Sequence, residues 1–141
     1  MVGIKERENL YMPNARFVTA VNCMDGRVQE PVNNWLKNQF NTDFVDVITE
    51  PGPDRILSGR ESAGSASIKE RVLVSVNCHG SSVVAMVAHH DCAGNPVGMQ
   101  EHLQQLTDSV EIILSWNLGV RVIGLWIGSD WQVEKIHDRL E

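Results

Sequence analysis

A chain of 141 residues falls within the usual size of one domain and is long enough to bury a core of its own. With 43% hydrophobic and 21% charged residues it has a globular composition, and a formal net charge of −6 argues against nucleic acid and anionic membranes, which select basic surfaces. No apolar run approaches a membrane-spanning length and Met1 to Asn9 is too charged for a signal peptide, so a cytoplasmic protein is expected.

Residues 1–15 are expected to form a polar N-terminal arm or frayed helix, and residues 16–141 a single α/β domain. Arg16 to Val21 is β-branched and aromatic enough for a first buried strand, and it runs directly into Asn22-Cys23-Met24-Asp25-Gly26-Arg27. Val28, Val32, Trp35, Leu36 and Phe40 then recur at helical spacing, with Pro31 suited to a first turn. Phe44 to Ile48 reads as a second strand, followed by a stiff, turn-rich loop from Thr49 to Arg55. Gly59 to His79 reads as a helix, and Val83 to Ala88, six apolar residues, as a third, fully buried strand. Gly98 to Leu118 predicts a long helix with Met99, Leu103, Leu106, Val110, Ile113 and Leu114 on its apolar face. Val120 to Ile127 predicts a fourth strand and Trp131 to Leu140 a closing helix. Strands alternating with helices imply a parallel sheet of about four strands, flanked by helices and joined by right-handed crossovers.

The chemistry collects at two strand ends. The third strand stops at His89-His90-Asp91-Cys92, followed by the turn residues Gly94, Asn95 and Pro96. An imidazole and a soft thiolate at His-x-x-Cys spacing suit zinc. Three cysteines, an odd number without a secretion signal, read as thiols or metal ligands rather than a disulfide framework. In doubly wound sheets the first and third strands are often neighbours across the switch point, and ligands sit beyond their carboxyl ends. That geometry would bring Cys23, His89 and Cys92 together as three zinc ligands with a fourth position open, the pattern of a catalytic rather than a structural site.

Cys-x-Asp-x-Arg after a first strand (Cys23, Asp25, Arg27) followed by His-x-x-Cys after a third (His89, Cys92) resembles the β-class carbonic anhydrases. The resemblance implies zinc on Cys23, His89 and Cys92, with Asp25 and Arg27 as a dyad. In that family the aspartate either accepts a hydrogen bond from the zinc-bound water or swings in as fourth ligand. The implied reaction is reversible hydration of carbon dioxide to bicarbonate by zinc-bound hydroxide, in a homodimer or higher homo-oligomer. The chain departs from the family in its short N-terminal arm, in Ala88 and Ala93 where glycines commonly flank the motif, and in Thr49-Glu50-Pro51-Gly52-Pro53 after the second strand.

Other functions stay open. One is a non-catalytic zinc-binding relative; another is a hydrolase of a related small electrophile such as carbonyl sulfide or carbon disulfide; a third is thiol redox chemistry through Cys23 and Cys92. Asp25 can also serve simply as a helix cap. His90 reads as a loop or core histidine, with proton shuttling as the alternative. Cys78-His79 falls at the opposite end of the sheet and reads as structural. Glu50, Asp54 and Arg55 read as solvated loop charges, with lining of the pocket as the alternative. Trp116, Trp126 and Trp131 read as packing for the last helices or an oligomer interface. No phosphate-binding motif is present.

Overall fold

The computed structural model describes residues 15–140, so the expected arm, apart from Ala15, lies outside the described residues. Five strands, β1 (Phe17–Cys23), β2 (Phe44–Glu50), β3 (Val83–His89), β4 (Arg121–Ile127) and β5 (Val133–Arg139), form one sheet in the order β2-β1-β3-β4-β5. The first four are mutually parallel, and β5 is antiparallel to β4. Four helices connect them: α1 (Gln29–Phe40), α2 (Pro53–Ser58), α3 (Ala63–His79) and α4 (Met99–Ser115).

Every residue of β3 is buried, as a continuous apolar run in a sheet covered on both faces requires. Its side chains alternate between two cores. Val83, Ala85 and Val87 pack with Ile123, Leu125 and Ile127 under Val32 and Leu36 of α1. Val84, Met86 and Ala88 pack with Val122 and Trp126 under α3 and α4, through Ile68, Val72, Leu106, Val110 and Ile113. The third helix starts at Ala63 rather than Gly59 because Ser62 and Ser65 cap each other's backbone amides, and it ends at Gly80 in the left-handed region (φ 66°).

The closing helix expected over Trp131 to Leu140 is instead β5. Val133, Ile136 and Leu140 do fall at helical spacing, but the segment buries little on either face. What it does satisfy is backbone pairing with β4, helped by Gly124, where an added Cβ would lie 2.9 Å from the His137 ring. His137 Nε2 in turn meets Thr107 Oγ1 of α4 at 3.0 Å. Charged residues blunt this edge: Asp138 binds both Arg121 and Lys135 at 2.6 Å. The sheet therefore has five strands, one more than the pattern predicts. A second correction is α2, which begins inside the expected loop; Gly52 turns the chain with φ 64° and Pro53 opens the helix. The strands β1 and β3 also run further than expected, to Cys23 and His89 themselves. Among the described residues, no helix is long and apolar enough to cross a membrane.

Arg121, and after it Lys135, hold the Asp138 carboxyl well below the usual carboxylate range. A folded-state pKa below the unfolded one adds stability that is present above the unfolded value and lost as pH falls towards the folded one. Urea unfolding of Asp138→Asn against the native chain should show a constant loss of about 1 kcal/mol or less above about pH 5, shrinking once pH drops below about 3.9.

Candidate metal centre

Cys23 and His89 are the last residues of the adjacent parallel strands β1 and β3, and Cys92 follows in the loop after β3. The two sulfurs are 3.9 Å apart. A ring nitrogen of His89 joins them, all three donor atoms lying within 4.8 Å of one another and all three residues buried. Nδ1 of His89 is 2.7 Å from the His90 carbonyl oxygen, to which it donates. This fixes the tautomer of the neutral ring and leaves Nε2 as a buried acceptor without an ordinary hydrogen bond, the Cys23 thiol being its neighbour. A buried polar atom without a partner is costly, and a coordinated cation would satisfy it. Two thiols and one correctly presented imidazole fit zinc with a fourth position free.

The electrostatics favour one ready thiolate. Burial pushes the Cys23 thiol up, but the His89 ring and the amides of Gly52 and Asp25 outweigh it and bring Cys23 down to about 7. Burial pushes Cys92 up to about 11, reinforced by the neighbouring Cys23 sulfur and opposed by the amides of Gly94 and Asn95. Burial pulls His89 down, yet Cys23 and the His90 carbonyl leave it raised.

Beside this group lies the pair Asp25–Arg27. Arg27 grips the carboxylate through Nε–H to Oδ1 at 3.1 Å and Nη2–H to Oδ2 at 2.7 Å. The Arg27 backbone amide also donates to Asp25 Oδ1 at 2.9 Å. Asp25 thus caps the short turn Gly26–Val28 and forms the dyad at the same time, so the two sequence readings coexist. Arg27's hydrogen bonds hold the Asp25 carboxyl at about 2, ionised at any ordinary pH.

Several residues that brace the site carry no motif. Asn22, fully buried, accepts from the Cys23 amide at 2.8 Å and donates to the Val28 carbonyl at 3.1 Å, fixing the turn between strand and helix. Gln29 donates to the Cys23 and Asp25 carbonyls at 2.7 and 3.0 Å. Arg27 reaches over to Asp91, bonding its carboxylate at 3.2 Å and its carbonyl at 3.0 Å, which joins the two chemical loops. Asp91 lies inside the His-x-x-Cys motif, where the sequence gives it no role, and Gln29 gives no signal in sequence.

Of the three loop charges, Arg55 is exposed as expected, but Asp54 is not a solvated charge. Asp54 is only 1% exposed, its carboxylate 2.6 Å from Nδ1 of the equally buried His102 on α4. Arg55 donates to the Gly94 carbonyl at 3.2 Å, and Glu50 pairs with Arg71. Cys78-His79 sits away from the site, His79 meeting Asp46 at 2.6 Å and stacking on Phe17 at the start of β1. His90 is an exposed loop residue. Trp116 lies under Lys69, and Trp126 is buried against His102. Trp131 does something unforeseen: its ring lies under the Arg27 guanidinium, 4.4 Å from centroid to Cζ.

A family model described as "putative carbonic anhydrase" matches residues 13–137. One of the tetrameric β-carbonic anhydrases of the ascomycete Sordaria macrospora is similar over 98% of this chain and 92% of its own, with 11% identity and a TM-score of 0.57. A carbonic anhydrase from Glaciozyma antarctica is similar over 85% of this chain and 81% of its own, with 16% identity and a TM-score of 0.55. At such identities the likeness is one of fold. No curated protein matches the chain.

Where the loop after β2 meets the loop after β3, two glycines allow backbone to touch backbone. A Cβ on Gly94 would lie 2.5 Å from the Pro51 carbonyl carbon and 2.9 Å from the Gly52 nitrogen. Gly94→Ala should therefore force the Gly52 amide away from Cys23 and lower stability by about 1–3 kcal/mol in urea unfolding. Gly26→Ala, whose Cβ meets nothing within 4 Å, should leave the urea midpoint nearly unchanged.

Proposed function

The chain belongs to the carbonic anhydrase family, and on that premise we propose that it is a zinc lyase hydrating carbon dioxide reversibly to bicarbonate. The observation that carries this reading is the juxtaposition of three donor atoms within 4.8 Å with an ionised carboxylate clamped by Arg27. Cys23, His89 and Cys92 would hold the metal. Zinc bound there would supply Lewis-acid activation of water near neutral pH.

The remaining work falls to the chain's own side chains. An ionised Asp25 can only accept hydrogen bonds, so a water beside it is turned with its proton towards the carboxylate and a lone pair free for an incoming carbon. Arg27 keeps Asp25 ionised and occupied. With Oδ1 shared by the Arg27 amide and Nε–H, and Oδ2 held by Nη2–H, the carboxylate stays on the guanidinium, which would leave a fourth position on a bound metal to water. Arg27 is itself held at its far side by Asp91, so rotation of the dyad would break contacts in both loops. Protons released by the reaction pass to solvent buffer.

A homo-oligomer belongs to the same reading. The Sordaria macrospora enzymes are tetrameric, and this chain exposes Val47 on edge strand β2, Val74 on α3 and Ile112 on α4, apolar residues that a second copy would cover. Light scattering on the purified chain should give a mass of at least two subunits.

Stopped-flow carbon dioxide hydration from about pH 7 to 9, on protein assayed for zinc, tests the activity. Native protein should carry one zinc per chain and hydrate carbon dioxide. Cys92→Ser should lose the metal, whereas Asp25→Ala should keep it and lose about 10²-fold or more in rate. A full zinc complement without hydration would point to a non-catalytic zinc protein, or to carbonyl sulfide or carbon disulfide as substrate.

A further inference from the structure

The β4–β5 hairpin carries a side chain that the hairpin itself does not call for. Residues 128–131 form a turn in which the Trp131 amide donates to the Gly128 carbonyl at 2.9 Å, and Trp131 then takes φ 59° before β5 begins. Positive φ of this kind is where glycine normally sits, because a side chain there costs backbone strain. A tryptophan is a poor choice for the turn alone. It lies within the core side of α1, partly buried, and presents its ring to the site. Its centroid is 4.4 Å from Cζ of Arg27, 6.4 Å from the His89 ring and 6.2 Å edge-on from the His90 ring.

The guanidinium of Arg27 has in-plane partners on both edges, Asp25 on one and Asp91 on the other. Those bonds resist tilting but do not lock it, because the Arg27 side chain is 47% exposed and water competes for each of them. A flat aromatic face beneath the cation removes that freedom. The ring quadrupole attracts the charge, and the indole shields one side of the guanidinium from solvent. The hairpin is in turn fastened to the metal loop, since the Ile127 carbonyl accepts from the His90 amide at 2.8 Å.

We propose that Trp131 is a positioning residue that holds the Arg27 guanidinium flat, so that Asp25 stays bound to Arg27 instead of swinging towards the metal. Its consequence for catalysis rests on the carbon dioxide hydration reading above; its action on Arg27 does not. Without the indole, Arg27 tilts and exchanges partners with water, and the carboxylate spends time off the dyad. The core contribution of Trp131 is a separate matter that a bulky aliphatic residue can replace.

Zinc-loaded full-length protein carrying Trp131→Phe or Trp131→Leu gives the test. Solvent exchange of the Arg27 Nε–H proton, followed by NMR, reads the dyad directly. The Arg121 Nε–H, bonded to Asp138 at 2.6 Å on the far part of β4, serves as the internal reference. Trp131→Leu should speed Arg27 exchange roughly tenfold with Arg121 unchanged, and Trp131→Phe should restore it to within about threefold of native. kcat/KM should fall by a similar factor in Trp131→Leu at full zinc content. Unchanged Arg27 exchange in Trp131→Leu, or an equal rise at Arg121, would overturn the proposal. A native protein that does not hydrate carbon dioxide would sink the activity reading, while the exchange comparison would still decide the role of Trp131.

Discussion

The parallel pairing of β1 with β3, in which Ala20 lies opposite Ala85 and Val21 opposite Met86, sets where both chemical loops begin. Carried two residues on, that register puts Cys23 beside Ala88, one residue short of His89. Parallel strands end on the same side of a sheet, so side chains far apart in sequence arrive at one edge with no designed contact between them. The burial of β1 and β3 on both faces makes this arrangement rigid: slipping the register by one residue would turn Val84 and Met86 into the opposite core. Two of the three metal-ligating candidates are thus placed by the strands with the most apolar cover.

Rigid strands fix where the loops start, but the loops need bracing of their own. Asn22 and Gln29 spend their hydrogen bonds on the backbone between Cys23 and Val28, and Arg27 spans to Asp91. On the other wall, Gly52 and Gly94 let two backbones touch, which aims the amides of Gly52 and Gly94 at the two sulfurs. Amide donors lower the cost of holding sulfur negative in a buried place. Burial raises both thiols; the His89 ring and the amides of Gly52 and Asp25 bring Cys23 down to about 7, whereas Cys92 is left near 11 by its burial, with the Cys23 sulfur 3.9 Å away adding to it. Two buried sulfurs this close, with an imidazole beside them, form a donor set that a cation would satisfy.

How much of this was legible in the sequence depended on how far each cause reached along the chain. That Cys23, His89 and Cys92 would be brought together beside Asp25 and Arg27 was legible in residue types and in spacings of two or three at the ends of two strands. The parallel sheet was readable because β3 is an unbroken apolar run. Asp54 was misread as a solvated charge because its partner, His102, lies 48 residues away and nothing local predicts a buried pair. The closing helix was misread because Val133, Ile136 and Leu140 mimic a helical stripe, whereas the strand is specified by Gly124 on the neighbouring strand, whose missing side chain admits His137. Trp131 inherited that error: on a helix it would pack against other helices, and only the hairpin delivers it to Arg27.

The buried pair Asp54–His102 lies behind the site. A charged or polar pair buried to 1% exposure contributes little net stability over an apolar pair, yet breaking it leaves an unpaired group inside the protein. Its effect is to fix relative position. Asp54 belongs to α2, directly after the loop whose Gly52 amide meets Cys23. His102 belongs to α4. Asn95, in the loop that carries Cys92, donates to Gln105 of the same helix at 2.6 Å. Helix α4 therefore grips α2, which follows directly on one loop flanking the sulfurs, and the other loop itself, at adjacent points along one face through residues 102 and 105. An apolar interface would allow those loops to slide against the helix at small cost. Directional hydrogen bonds at 2.6 Å do not, so the polar interior behind the site serves geometry rather than bulk stability.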